Sequence, residues 1–91
     1  VIDVRTPEEV AEGVVDAPNF IHLSLLDMVT NIAQWPADKD ADIVVYCKSG
    51  TRSNIAMSIL RVFGYTNVIS MKGGFTAYVE AEFPVAEFVA P

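Results

Sequence analysis

The single cysteine of the chain, Cys47, heads the loop Cys47-Lys48-Ser49-Gly50-Thr51-Arg52 and directly follows the apolar run Ile43-Val44-Val45-Tyr46. A thiol placed after a strand, in a tight polar loop and just ahead of a helix, lies where backbone N–H groups and the positive end of a helix dipole converge. Such surroundings favour the thiolate, lower its pKa and make it a nucleophile near neutral pH. Gly50 lets the loop curl, because glycine takes positive φ freely. The N–H groups of residues 48 to 52 are then expected to form a concave nest around a negatively charged sulfur. Lys48 and Arg52 are two of only six basic residues, and both flank the cysteine. A local positive patch of that kind suits a small anionic substrate. His22, the only histidine, follows Phe20-Ile21 with no acidic residue beside it. It is read as structural, since a nucleophile activated by electrostatics needs no imidazole base.

The elements that must carry this loop are legible from punctuation. Val1 to Val4 reads as a buried strand. Thr6-Pro7-Glu8-Glu9 reads as a helix start, with Thr6 as N-cap, Pro7 in the first turn and Glu9 closing a capping box; Gly13 ends that helix. Phe20 to Leu23 is a brief strand. Ser24 is expected to cap a helix to about Ala33, with Leu25, Leu26, Met28, Val29 and Ile32 on its apolar side, and Trp35 to pack as a cap on it. Gln34 to Asp42 is a loop, and Ile43 to Tyr46, apolar throughout, is a parallel strand covered on both faces. Residues 53 to 63 are expected to form a helix with Ile55, Ala56, Ile59, Leu60 and Phe63 inward, stopped by Gly64. Asn67 to Ser70 is a further strand, Lys72-Gly73-Gly74 a tight turn, and Phe75 to Ala81 a last helix. Alternating strands and helices predict a small α/β domain, its central sheet mainly parallel with helices on both faces.

Composition narrows the function class. Ninety-one residues, 52% of them hydrophobic, make one domain with a real core. A net charge of −6 argues against a nucleic-acid partner, which calls for a basic face. No stretch reaches the length of a membrane span. One cysteine and one histidine provide no zinc set, so neither metal nor cofactor is expected. The chain opens on Val-Ile-Asp-Val without a methionine, and is read as a piece of something longer with room for further domains. The cytoplasm is the favoured compartment, any leader lying outside this stretch.

Three segments together resemble the rhodanese-like family. Val1-Ile2-Asp3-Val4-Arg5, with Pro7-Glu8-Glu9 and Gly13, is similar to its opening signature. Val44-Val45-Tyr46-Cys47-Lys48-Ser49-Gly50-Thr51-Arg52 is similar to its active-site loop. Gly64-Tyr65-Thr66-Asn67-Val68, Lys72-Gly73-Gly74-Phe75 and Ala77-Tyr78 are similar to its closing signature. They occur in the family's order over nearly the whole chain. Two departures stand out. Gly13-Val14-Val15 replaces a usual Gly-His-Ile, and Ala17-Pro18-Asn19-Phe20 replaces a usual Gly-Ala-Xaa-Asn.

The resemblance implies a rhodanese-like domain over residues 1–91, with thiosulfate sulfurtransfer as the type activity and Cys47 carrying sulfane sulfur as a persulfide. The expected partners are a small anionic sulfur donor and a thiol or cyanide acceptor. Lys48, Ser49, Gly50, Thr51 and Arg52 are the expected substrate-binding residues around catalytic Cys47. Cysteine phosphatases also set a cysteine and an arginine between strand and helix, but four residues separate Cys47 from Arg52, one fewer than phosphatases leave. The tighter cradle suits one sulfur atom more than a phosphoryl group. The alternative within the family is a low-activity binding or sulfur-carrier module of a larger protein. Asp3 and Arg5 fall at the carboxyl end of the first strand, where α/β sites gather. Arg5 is nonetheless read as structural, paired with Glu9 or another carboxylate.

Overall fold

The computed structural model describes residues 1–89. Its centre is a four-stranded parallel sheet in the order β3-β1-β4-β5, made by Ile2–Asp3 (β1), Ile21–His22 (β3), Ile43–Tyr46 (β4) and Val68–Ser70 (β5). The predicted α/β class with a mainly parallel sheet is what the chain adopts. The longest strand, β4, lies inside the sheet, and Ile43, Val45 and Tyr46 are buried. That explains its unbroken apolar run: a parallel strand between helical layers has no wet face. The helices are Pro7–Ala11 (α1), Leu25–Met28 (α2), Thr51–Val62 (α3) and Gly74–Glu80 (α4). Ile2, Val4, Val45, Leu60 and Val68 meet Cys47 in one apolar core. No helix among the described residues is long and apolar enough to cross a membrane.

Local rules hold where they are strong. Thr6 caps α1, accepting from the Glu9 N–H at 3.3 Å, while the Glu9 carboxylate accepts from the Thr6 N–H at 3.2 Å. Trp35 is buried, donates from Nε1 to the Met28 carbonyl at 3.1 Å and stands edge-on to Phe63 and Tyr65. Weaker signals give way to packing. The helix expected to run from Ser24 to Ala33 is α-helical only to Met28 and continues as a 3₁₀ segment, Val29–Gln34, broken at Asn31. The Ser24 hydroxyl makes no cap; it donates to the Asp27 carboxylate at 2.8 Å. Leu26, Val29 and Ile32, expected on the inward side, are exposed, and Met28 alone is buried there. On α3 the inward stripe is Ser53, Ala56 and Leu60, whereas Ile55 and Phe63 face out. An antiparallel ribbon, Val14–Val15 (β2) with Val85–Ala86 (β6), was not expected. It occupies the position where the valines replace the family's histidine-containing segment, and both valines are buried.

Candidate active site

The carboxyl ends of β1 and β4 converge on one spot, and Cys47 begins there. Its residue is 1% exposed, so the thiol belongs to the core as much as to the loop. The loop Cys47–Gly50 leads straight into α3, whose first turn starts at Thr51, and Gly50 makes the bend at φ 113°. A Cβ at Gly50 would meet nothing closer than 4.0 Å, so the backbone angle, rather than space, calls for glycine there.

The sulfur sits among donors. The Gly50 N–H reaches Cys47 Sγ at 3.0 Å, and the Ser53 hydroxyl lies 3.6 Å away. Burial pushes the Cys47 thiol up, but the N–H and hydroxyl of Ser53 and the N–H groups of Gly50 and Ser49 outweigh it and hold the pKa below the ordinary value. Of the N–H groups of residues 48 to 52, those of Ser49 and Gly50 act on the sulfur, and Ser53, one residue beyond, joins them. Ser53 is fully buried and within 2.7 Å of the Ser70 hydroxyl at the end of β5. Ser53 lies on the inward face of α3 and Ser70 ends β5, so nothing local in the sequence brings the two hydroxyls together. The one signal was for Ser53, whose spacing with Ala56 and Leu60 puts it on the buried stripe of α3.

A second layer holds the loop from outside. The first amides of α4 reach back to it: the Phe75 N–H donates to the Cys47 carbonyl at 2.8 Å, and the Thr76 N–H to the Lys48 carbonyl at 3.0 Å. Gly74, read as part of a mere turn, makes this approach feasible. At φ 59° it already favours glycine, and a Cβ there would lie 2.5 Å from the Cys47 carbonyl oxygen.

The cations divide. Lys48 is exposed, as are Ser49 and Thr51. Arg52 is half-buried and holds the Glu9 carboxylate of α1 with two N–H donors, at 2.6 and 3.0 Å. Arg52 favours ionisation of the Glu9 carboxyl and lowers it to about 2. Arg5 pairs with Asp3, not with Glu9: Nε and a terminal nitrogen clasp that carboxylate at 3.0 and 2.8 Å. It also donates to the Gly13 carbonyl at 2.7 Å and lies over the Phe75 ring at 4.2 Å. Both members of the Asp3–Arg5 pair are buried, so this pair ties β1, the end of α1 and α4 together. His22 Nε2 donates to the Arg5 carbonyl at 2.8 Å. Among the described residues no group of three or more His, Cys, Asp or Glu side chains could hold a metal ion.

The arrangement is a strand-end thiol held toward its anion by N–H and hydroxyl donors, with no base in contact, which is a design for nucleophilic attack by sulfur. The model of the rhodanese-like domain matches residues 1–81. A protein from Allochromatium vinosum named sulfurtransferase is 36% identical over 90 residues, which is 99% of this chain and 78% of the relative. The thiosulfate sulfurtransferase GlpE of Ectopseudomonas mendocina is 34% identical over 92% of the chain and 72% of its own length. The protein named "Probable adenylyltransferase/sulfurtransferase MoeZ" of Mycobacterium tuberculosis is 32% identical over 91% of the chain, which spans only 21% of MoeZ. Such domains therefore also occur inside larger proteins. Among solved structures, a rhodanese-related protein from Thermoplasma volcanium superposes with a TM-score of 0.82 at 26% identity, covering 96% of this chain and 82% of that one.

Proposed function

The chain belongs to the rhodanese-like domain family and is of the sulfurtransferase type, and from that premise we propose that it moves a sulfane sulfur from a thiosulfate-like donor to cyanide or a thiol through a persulfide on Cys47. The observation that carries this reading is the 3.0 Å contact from the Gly50 N–H to a sulfur whose pKa is held down without a base. In the first half-reaction Cys47 Sγ⁻ attacks the outer sulfur of thiosulfate. A new S–S bond forms, the old one breaks, and sulfite leaves with its electron pair. The product, Cys47–S–S⁻, is an anion, and the N–H groups that favoured the thiolate favour it too. In the second half-reaction cyanide attacks the terminal sulfur, thiocyanate leaves and the Cys47 thiolate returns.

In this reading Lys48, Ser49, Gly50, Thr51 and Arg52 are the substrate-binding loop, residues 1–91 are one domain, and the acceptor is small or is presented by a neighbouring domain. The resemblance to a stretch of MoeZ supports the second arrangement, a sulfur-delivering module inside a larger protein. The test is intact mass after incubation with thiosulfate, together with thiocyanate production. A gain of one sulfur, removed by a thiol reductant, is expected, because persulfides yield to thiol exchange. Cys47→Ser should lose both the adduct and the turnover, since an unassisted serine hydroxyl is not ionised near pH 7. Thiocyanate production by the serine variant near the parent rate would overturn the assignment.

A further inference from the structure

Cys47 is enclosed by the core, its loop and α4, yet its proton must leave before the sulfur can act as the reading above requires. We propose that the proton leaves through a two-hydroxyl chain, Cys47–Ser53–Ser70, and that Ser70 is a positioning residue which turns the Ser53 hydroxyl onto the thiolate. The distances form a single file: 3.6 Å from Cys47 Sγ to Ser53 Oγ and 2.7 Å from Ser53 Oγ to Ser70 Oγ. Ser53 is fully buried, whereas Ser70 is half-buried and lines a polar cleft of about 330 Å³ with Ser49, Thr51, Asn54 and Lys72. The chain therefore runs from the buried sulfur to a wet surface.

The hops balance. The S–H bond of Cys47 breaks and its proton passes to Ser53 Oγ. The Ser53 hydroxyl hydrogen passes to Ser70 Oγ, and the Ser70 hydrogen passes to solvent water in the cleft. Afterwards every O–H in the file points inward. Ser70 donates to Ser53, and Ser53 donates to the thiolate beside the Gly50 N–H, so one event removes the proton and supplies a second donor for the charge left behind. The rival acceptor for the Ser53 hydrogen is the Gly50 carbonyl at 3.1 Å, and that oxygen already accepts the Asn54 N–H at 3.0 Å. Turning the hydroxyl to sulfur thus strands no group.

The test follows thiolate absorbance in the ultraviolet against pH, with Cys47→Ser as the blank, so that no reagent has to enter the loop. Ser70→Ala should raise the midpoint by about half a pH unit, the size of one lost hydrogen bond in a chain. Ser70→Thr, which keeps the hydroxyl, should restore it. Ser70→Val, the same shape as threonine without the hydroxyl, reads the same deletion if the alanine variant does not fold. The charged and titratable groups around Cys47 are Lys48, Arg52 with its partner Glu9, Lys72 across the cleft, Asp3 with Arg5, and Tyr46. All are common to the four proteins, so a difference between threonine and valine belongs to the hydroxyl. Equal midpoints for the threonine and valine variants would overturn the proposal, as would an alanine midpoint matching the parent. This inference rests on the sulfurtransfer reading for its purpose, but its readout does not. A parent without sulfur transfer whose thiolate midpoint still follows the Ser70 hydroxyl would refute the function and leave the positioning role of Ser70 standing.

Discussion

Two arginine–carboxylate pairs flank the candidate site, and they do different work. Asp3–Arg5 and Glu9–Arg52 are both short and both clasp a carboxylate with two N–H donors. The side chains of the first pair are 4% and 0% exposed, and those of the second 31% and 26%. In the first, the guanidinium gives a further N–H to Gly13 and its face to Phe75, and with only 4% of its side chain exposed it presents little to a ligand. In the second, the cation stands in the first turn of α3, just after the Cys47 loop, keeps part of its surface in water and is held by a carboxylate that a dianion could displace. The same ion pair is thus architecture when dry and a candidate binding element when wet.

Variants that separate the pairs sharpen that contrast. Asp3→Asn leaves the Arg5 charge buried without its counterion, and the expected cost is about 3–5 kcal/mol of unfolding free energy. That is a large share of the ~5–15 kcal/mol of a typical domain. Denaturant unfolding would show it, and a loss below about 1 kcal/mol would mean that the two pairs are equivalent after all.

The Arg52 variants should reverse the balance of effects. Arg52→Ala is expected to cost no more than about 1 kcal/mol of stability, as exposed pairs do. It should raise KM for thiosulfate roughly fivefold, about 1 kcal/mol of lost contact, with less change in kcat. Added salt should shrink that difference, because an exposed contact is screened. Glu9→Gln keeps the capping box but releases the guanidinium, so KM for the anionic donor should fall about twofold. Steady-state kinetics at two ionic strengths check both. An unchanged KM in Arg52→Ala would move Arg52 beside Arg5 as a structural residue.

The smallest expected effect is in acid. Arg52, with help from the Thr6 N–H and hydroxyl, lowers the Glu9 carboxyl from 4.5 to about 2. The stabilisation that follows is complete above the ordinary carboxyl pKa and disappears as pH falls toward about 2. Since both side chains are partly exposed, it should amount to less than about 1 kcal/mol. Unfolding midpoints of the parent and Glu9→Gln should converge over that acid window, and parallel curves would show that the pair contributes nothing measurable.

How much of this was legible beforehand depended on the range of the interaction. Thr6, Pro7 and Glu9 announce a capped helix because every partner lies within one turn. β4 is evident because a strand dry on both faces must be apolar at every position. The Cys47 loop could be placed because strand, glycine and helix are contiguous. What remained hidden requires partners far apart in the chain. Nothing near Val14 announces that Ala86 will pair with it, and nothing near Arg52 names Glu9. Asp3 and Arg5 are neighbours, yet their partnership shows only once Gly13 and Phe75 close over them. The α2 region misled for another reason: five apolar residues at helical spacing suggest one buried face, but α-helical spacing stops at the 3₁₀ segment from Val29 and its break at Asn31, where Val29 and Ile32 are exposed, and Leu26 already faces out within α2.

The contact between α4 and the loop has a consequence for how the loop's peptide groups face. A trans peptide plane carries its C=O and its N–H on opposite sides. Because the Phe75 N–H holds the Cys47 carbonyl, the amide of Lys48 is turned away from α4. Because the Thr76 N–H holds the Lys48 carbonyl, the amide of Ser49 is turned away as well, and Ser49 N–H is among the groups that favour the thiolate. The polarity of the loop is therefore imposed from the far end of the chain. α4 acts as the mount that keeps these dipoles aimed, and a side chain at Gly74 would tilt the mount before it touched the sulfur.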